Sequence, residues 1–158
     1  GPLSFADASY DVIFTKDAIV HIPDKAAFYR EAWRVLKPGG YFVGSDWLRG
    51  DEQTLTARAK KWLEIVHLNF QMRDIAHTSQ AMIDAGFSEP RFNDRNAWYQ
   101  QAIVHEIASV SGDRLDALAA QIGETEAQYR RTSSLSKQEA IDDGFLRPTH
   151  FVTQKPLS

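Results

Sequence analysis

Apolar positions along the chain fall into two different rhythms. Tyr10-Asp11-Val12-Ile13-Phe14 is a short β-branched and aromatic run with Asp7 and Ser9 before it and Thr15 and Lys16 after it, which predicts a buried strand. Beyond it Phe28, Ala32, Val35 and Leu36 recur at helical spacing, with Asp24 placed to cap the helix. Lys37 and Pro38-Gly39-Gly40 close that segment where a cation suits the helix dipole and glycine suits a turn. Tyr41-Phe42-Val43-Gly44 then reads as a second buried strand, emptying into Ser45-Asp46-Trp47. Strand, helix and strand joined by short loops predict a parallel unit with a right-handed crossover.

The rest of the chain is mostly helical in rhythm. Leu55, Ala59, Trp62, Leu63, Val66 and Phe70 mark one amphipathic helix, and a shorter one runs from about Thr78 to Gly86. Pro90 to Asp94 is a weaker strand. Ile103, Ile107 and Val110 stripe a further helix, Leu115, Leu118 and Ile122 another, and the polar stretch from Glu124 to Asp143 is expected to be helical in pieces. His150-Phe151-Val152-Thr153-Gln154 reads as a closing strand before Lys155-Pro156.

The totals narrow the function classes. A chain of 158 residues with 43% hydrophobic and 25% charged residues has room for one domain or part of one. Its formal net charge of -3 and pI near 5.9 argue against a nucleic-acid surface, and Lys60-Lys61 and Arg130-Arg131 are too short to supply a basic patch. There is no cysteine, hence no disulfide or thiolate metal site, which is compatible with a cytoplasmic location. No apolar run approaches the ~20 residues that span a bilayer. Gly1-Pro2-Leu3-Ser4 resembles what a tag protease leaves behind, so the chain is expected to be cut from something longer.

In an open parallel sheet, ligands sit beyond the carboxyl ends of the strands. One such edge carries Thr15, Lys16, Asp17 and His21; the other carries Ser45, Asp46 and Trp47. If residues 17–22 are helical, Asp17 and His21 share a face about 6 Å apart at Cβ. Two readings stand on that spacing: Asp17 caps the turn beside a satisfied, half-buried histidine, or its carboxylate tunes an imidazole that acts as a general base or cation-binding corner. Other chemistry is weaker. His77 has no carboxylate at metal-ligand spacing. His105-Glu106 lacks the second histidine of a zinc-protease motif, position 109 being serine, and G-x-S-x-G occurs nowhere. Pro38-Gly39-Gly40 precedes a strand, whereas a phosphate cradle follows one.

Taken together, "FADASYDVIFTKDAIVHI" and "REAWRVLKPGGYFVGSDW" resemble the second half of a class I S-adenosylmethionine-dependent methyltransferase, and within that superfamily the phosphoethanolamine and related small-amine N-methyltransferases. The resemblance implies an α/β fold: strands four to seven of a Rossmann-like sheet, with a helical insertion of about residues 97–145 between the last two, the partial domain running over 5–158. It implies Asp17 on the substrate's amine, His21 in a catalytic His-Tyr pair, Trp47 as the substrate-facing aromatic, Phe70 and Arg73 on the substrate side, and Phe14, Thr15 and Lys16 on the cofactor side. Leucine and phenylalanine at positions 68 and 70 stand where those enzymes place an arginine and a tyrosine on the substrate phosphate; Arg73 or Lys137 is the available replacement. The family's glycine-rich cofactor loop is not among these residues, so the fragment alone is expected neither to bind S-adenosylmethionine nor to turn over. The alternative expectation is a non-catalytic interaction module. In either case the half-sheet is expected to dimerise, exchange segments or bind the absent half through its bare edge. The implied acceptor is a small molecule, with no nucleic acid, membrane or metal as partner.

Overall fold

A computed structural model describes residues 3–67 and 72–157. The chain falls into two compact units, the first formed by the described residues of Gly1–Arg49, Asn69–Asp94 and Pro148–Ser158, the second by those of Gly50–Leu68 and Arg95–Arg147.

The first unit is built on the predicted parallel pair. Strand β1 is Tyr10–Lys16; a one-turn 3-10 segment, Ile19–His21, follows; helix α1 is Lys25–Val35; strand β2 is Leu36–Arg49. Asp24 caps α1 by accepting from the Ala27 N–H at 2.8 Å. Strands β1 and β2 run parallel, with Ile13 opposite Phe42 and Thr15 opposite Gly44. Helix α3 (Ile75–Asp84), strand β3 (Arg91–Asp94) and strand β4 (Leu146–Gln154) complete the sheet in the order β1-β2-β4-β3, with β3 antiparallel to β4. Gly39 N–H donates to Lys155 and Lys155 N–H to Gly40, both at 2.9 Å, joining the start of β2 to the end of β4.

Strand β2 is longer than its rhythm predicts. Tyr10 faces Leu36 and Val12 faces Tyr41, so Lys37-Pro38-Gly39-Gly40 is an outward bulge within one 14-residue strand and not a turn before it. Gly39 makes this possible at φ +78°, a conformation that other residues rarely adopt. Burial also differs. Alternate side chains of β1 are open to solvent: Val12 is 54% and Phe14 70% exposed, and Tyr10 and their neighbour Tyr41 on β2 are exposed as well. The expected buried strand is therefore only half-buried, and on one face, through Ile13, because α1 and α3 cover that side while no described element covers the other.

The core lies beneath the covered face. The fully buried ring of Phe42 is met edge-on by Phe151 at 4.9 Å and by Phe28 at 6.0 Å between centroids, with Phe87 tilted against it at 5.7 Å. Lys155 buckles the sheet to the end of α1: its ammonium donates to the Trp33 and Leu36 carbonyls at 2.9 and 2.8 Å and sits 3.7 Å over the Trp33 ring.

The second unit is helical: α2 (Ala57–Val66), α4 (Asn96–Ser109), α5 (Asp113–Ile122) and α6 (Glu124–Asp142). Helix α6 is one continuous 19-residue helix where separate pieces were expected. Its sequence contains neither proline nor glycine, and Ala127, Ser134, Ala140 and Ile141 give it a narrow buried stripe in an otherwise polar segment. The Thr56 hydroxyl and the Arg58 guanidinium both donate to Asp143, fastening the start of α2 to the end of α6.

Candidate acceptor-side site

The carboxyl ends of β1 and β2 meet at Asp17 and Ser45. Asp17 leaves the strand at φ +51°, its N–H donating to the Ser45 carbonyl at 2.8 Å while the Ser45 hydroxyl donates to the Asp17 carboxylate at 3.0 Å. Aspartate tolerates this left-handed conformation better than most residues, and the two bonds hold it there. Asp17 is therefore outside the following turn: Ala18 occupies the N-cap position, without a side-chain bond. The helical placement of Asp17 and His21 on one face does not occur, and neither does capping by Asp17. His21 sits at the end of the 3-10 turn with an exposed side chain, not a half-buried one.

Strand alternation sorts the other residues. Lys16 and Ser45 are register partners and lie on the open face with Phe14; half-buried Trp47, two residues beyond Ser45, shares that face. Thr15 pairs with Gly44 on the covered face, so of the three residues expected on the cofactor side only Phe14 and Lys16 present side chains together. Arg73 is exposed, and its carbonyl accepts from the Arg49 N–H at 3.1 Å, which ties it to the end of β2. Phe70 lies outside the described residues. Lys137 belongs to the second unit, where it donates to Glu106 at 2.6 Å, so its charge is already engaged.

Two residues absent from the expected site stand out. Asp46, 4% exposed, points to the covered face and accepts the Val20 N–H at 3.0 Å. Burial pushes its pKa up to about 6, opposed by the Val20 N–H, the Lys25 charge and the Trp47 N–H, and reinforced by Asp17. Lys25 donates to the carbonyls of Ile19 at 2.6 Å and Ile22 at 3.1 Å; burial and the Arg73 charge lower its pKa, against the pull of Asp46. A sequence signal existed for Lys25. It is the first residue of α1, where a cation opposes the helix dipole, so its charge needed another purpose. Lys25, Arg73, Tyr29 and the exposed His77, whose ring is paired with Asp74 at 2.8 Å, border a shallow cleft of about 300 Å³. No cluster of three or more metal-binding side chains occurs among the described residues. None of the described helices is long and apolar enough to cross a membrane.

The arrangement offers a carboxylate, a hydroxyl and an aromatic side chain on one open strand edge, with a histidine on the adjoining turn. Such a surface can hold a cationic or protonated nitrogen and receive its proton.

Comparison with known proteins bears on the family and the fold. Residues 2–44 match the methyltransferase domain family. Phosphoethanolamine N-methyltransferase 1 of Arabidopsis thaliana is 31% identical over 110 residues, covering 70% of this chain and 22% of the plant protein. The 2-methyl-6-phytyl-1,4-hydroquinone methyltransferase of Synechocystis is 49% identical over 51 residues, 32% of this chain and 16% of its own length. Among solved structures, phosphoethanolamine N-methyltransferase 2 of Haemonchus contortus, in complex with S-adenosyl-L-methionine, superposes with a TM-score of 0.85 at 20% identity, over 97% of this chain and 35% of that one. By sequence the chain is a relative of S-adenosylmethionine-dependent methyltransferases, and its α/β fold is their Rossmann-like fold. It spans about a fifth to a third of the length of the phosphoethanolamine enzymes it matches.

Proposed function

We propose that the chain is the acceptor-side portion of an S-adenosylmethionine-dependent methyltransferase whose acceptor is a small amine. The carrying observation is the pinned Asp17: a carboxylate locked by two bonds to Ser45 at a parallel-strand edge, with Trp47 on the same face. The carboxylate pairs with the nitrogen as it becomes cationic, Trp47 offers its π-face, and exposed His21 takes up the proton. When bound, S-adenosylmethionine supplies the methyl group as an electrophile. The residues present fit one wall of its site: Phe14 and Lys16 stand on the open face and Thr15 contributes strand backbone between them. An opposite wall is absent among the described residues, so the 158-residue chain by itself is proposed to be inactive. Arg73, whose carbonyl is tied to Arg49 at the end of β2, is the cation we assign to an acidic group on the acceptor.

Amide and indole NMR spectra of this chain, titrated with ethanolamine and with phosphoethanolamine, test the reading. Shifts at Asp17, Ser45, His21 and Trp47 that disappear in Asp17→Asn are expected; shifts that survive the substitution, or none at millimolar amine, sink it. Micromolar binding of S-adenosylmethionine by the chain alone, measured by titration calorimetry, contradicts the incomplete cofactor wall.

A second reading rests on the bare strand. With Tyr10, Val12, Phe14 and Tyr41 exposed on an edge strand and its neighbour, the chain is suited to self-association through β1 as a non-catalytic module. Light scattering that finds a dimer, lost on Val12→Lys, favours it; a monomer at high concentration removes it.

A further inference from the structure

The Ile19–His21 turn is gripped from both sides. Two backbone bonds run within it, His21 N–H to the Ala18 carbonyl at 3.2 Å and Ile22 N–H to the Ile19 carbonyl at 2.9 Å. Three more come from outside. The Asp46 carboxylate takes the Val20 N–H, and the Lys25 ammonium takes the carbonyls of Ile19 and Ile22. Both outside groups stand in unfavourable places. Asp46 is a buried carboxylate without an ion-pair partner at contact distance among the described residues, and Lys25 opposes the dipole of the helix it begins. Neither placement helps the core, and both serve the same four residues.

We propose that Asp46 and Lys25 are positioning residues that clamp the Ile19–Ile22 turn between the end of β2 and the start of α1, and so fix the place of His21. The functional meaning of the clamp rests on the acceptor-side reading above; its existence does not. The clamp is also pH-sensitive. Facing Asp46 are Lys25 and Tyr29 from α1, Asp17 from the end of β1, and the N–H groups of Val20 and Trp47; Arg73, before α3, acts on Lys25. Protonating Asp46 turns a charge-assisted bond to Val20 into a weaker neutral one and removes the counter-charge of Lys25. His21 should then sit less firmly as the pH falls through about 6.

Amide NMR of the whole chain from about pH 4.5 to 8 tests this, together with hydrogen exchange and the His21 ring resonances. The Val20 amide is expected to shift with a midpoint near 6, and Lys25→Met to raise that midpoint. Asp46→Asn, which keeps an acceptor oxygen, should retain Val20 protection while abolishing the step. Asp46→Ala should speed Val20 exchange about tenfold, the worth of one such bond, and move the His21 ring signals. A step that persists in Asp46→Asn, or a midpoint indifferent to Lys25→Met, overturns the proposal. So does Val20 exchange in Asp46→Ala within about twofold of the parent. If Asp46→Ala fails to fold, the Asp46→Asn titration decides. Amine-induced shifts are read separately: their absence beside an intact Val20 step defeats the acceptor reading and leaves the clamp standing.

Discussion

Two shielded carboxylates, one in each unit, are treated in opposite ways. Glu106 on α4 accepts from Lys137 at 2.6 Å, Ser134 at 2.9 Å and Tyr99 at 3.2 Å. Burial would raise its pKa, but Lys137 first, then Ser134 and Tyr99, outweigh burial and hold it below the usual glutamate range. Asp46 is more deeply buried and has backbone N–H groups and a lysine acting from beyond contact, so burial wins and its pKa rises to about 6. Glu106 belongs to a satisfied network that stabilises its helices. Asp46 is left under-neutralised near the carboxyl end of β2, with its charge opposed by burial and not offset by a contacting cation among the described residues.

The comparison is most exposed to removal of Glu106. Glu106→Ala takes the acceptor from Lys137 and Ser134, and urea melts at neutral pH should show a loss of about 1–2 kcal/mol, the pair being only partly shielded from water. No loss would mean that the two carboxylates are less different than their surroundings indicate.

The pH dependence of stability separates them by sign. Asp46 has a folded pKa above its unfolded one, so its contribution is fully present below about pH 4 and is lost as pH rises through about 6. Glu106 has a folded pKa below its unfolded one, so its contribution is present above about pH 4.5 and is lost as pH falls through the folded value. Melts between about pH 3 and 8 should therefore be flattened by Asp46→Asn on the side near 6, and by Glu106→Gln on the acid side. Flattening on the wrong side breaks the assignment.

The smallest effect is the control. Arg130 pairs with Glu126 at 2.9 Å on the solvated face of α6, and Arg130→Ala should cost about 0.3–0.5 kcal/mol in the same melts. A larger loss would show that the second unit depends on surface charge and not on the Glu106 network.

Much of the first unit was legible in order and type, because strand and helix rhythms alternate cleanly and Asp24 announces α1. What escaped depended on backbone conformations that periodicity does not record. Pro38-Gly39-Gly40 looks like a turn until β1 and β4 pair on either side of it. Asp17 and His21 look like helical neighbours until Asp17 takes a positive φ and turns to Ser45. The exposure of β1 could not be read from its composition, which is that of a strand covered on both faces. Helix α6 was hidden by its polarity, since its buried stripe is mostly serine and alanine, with Ile141 at its end. Lys25 was the legible oversight, a cation on the wrong end of a helix.

The buckle made by Lys155 has a practical consequence. At 7% exposure, with its ammonium over an indole and held by two carbonyls, this amine is hidden from reagents that label ordinary surface lysines. Burial lowers its pKa, but that effect ends when the side chain is released, and the freed amine then reacts as an ordinary surface lysine. Its acylation rate is thus a clock for the last strand letting go of the first helix, readable by mass spectrometry without any added label or engineered residue.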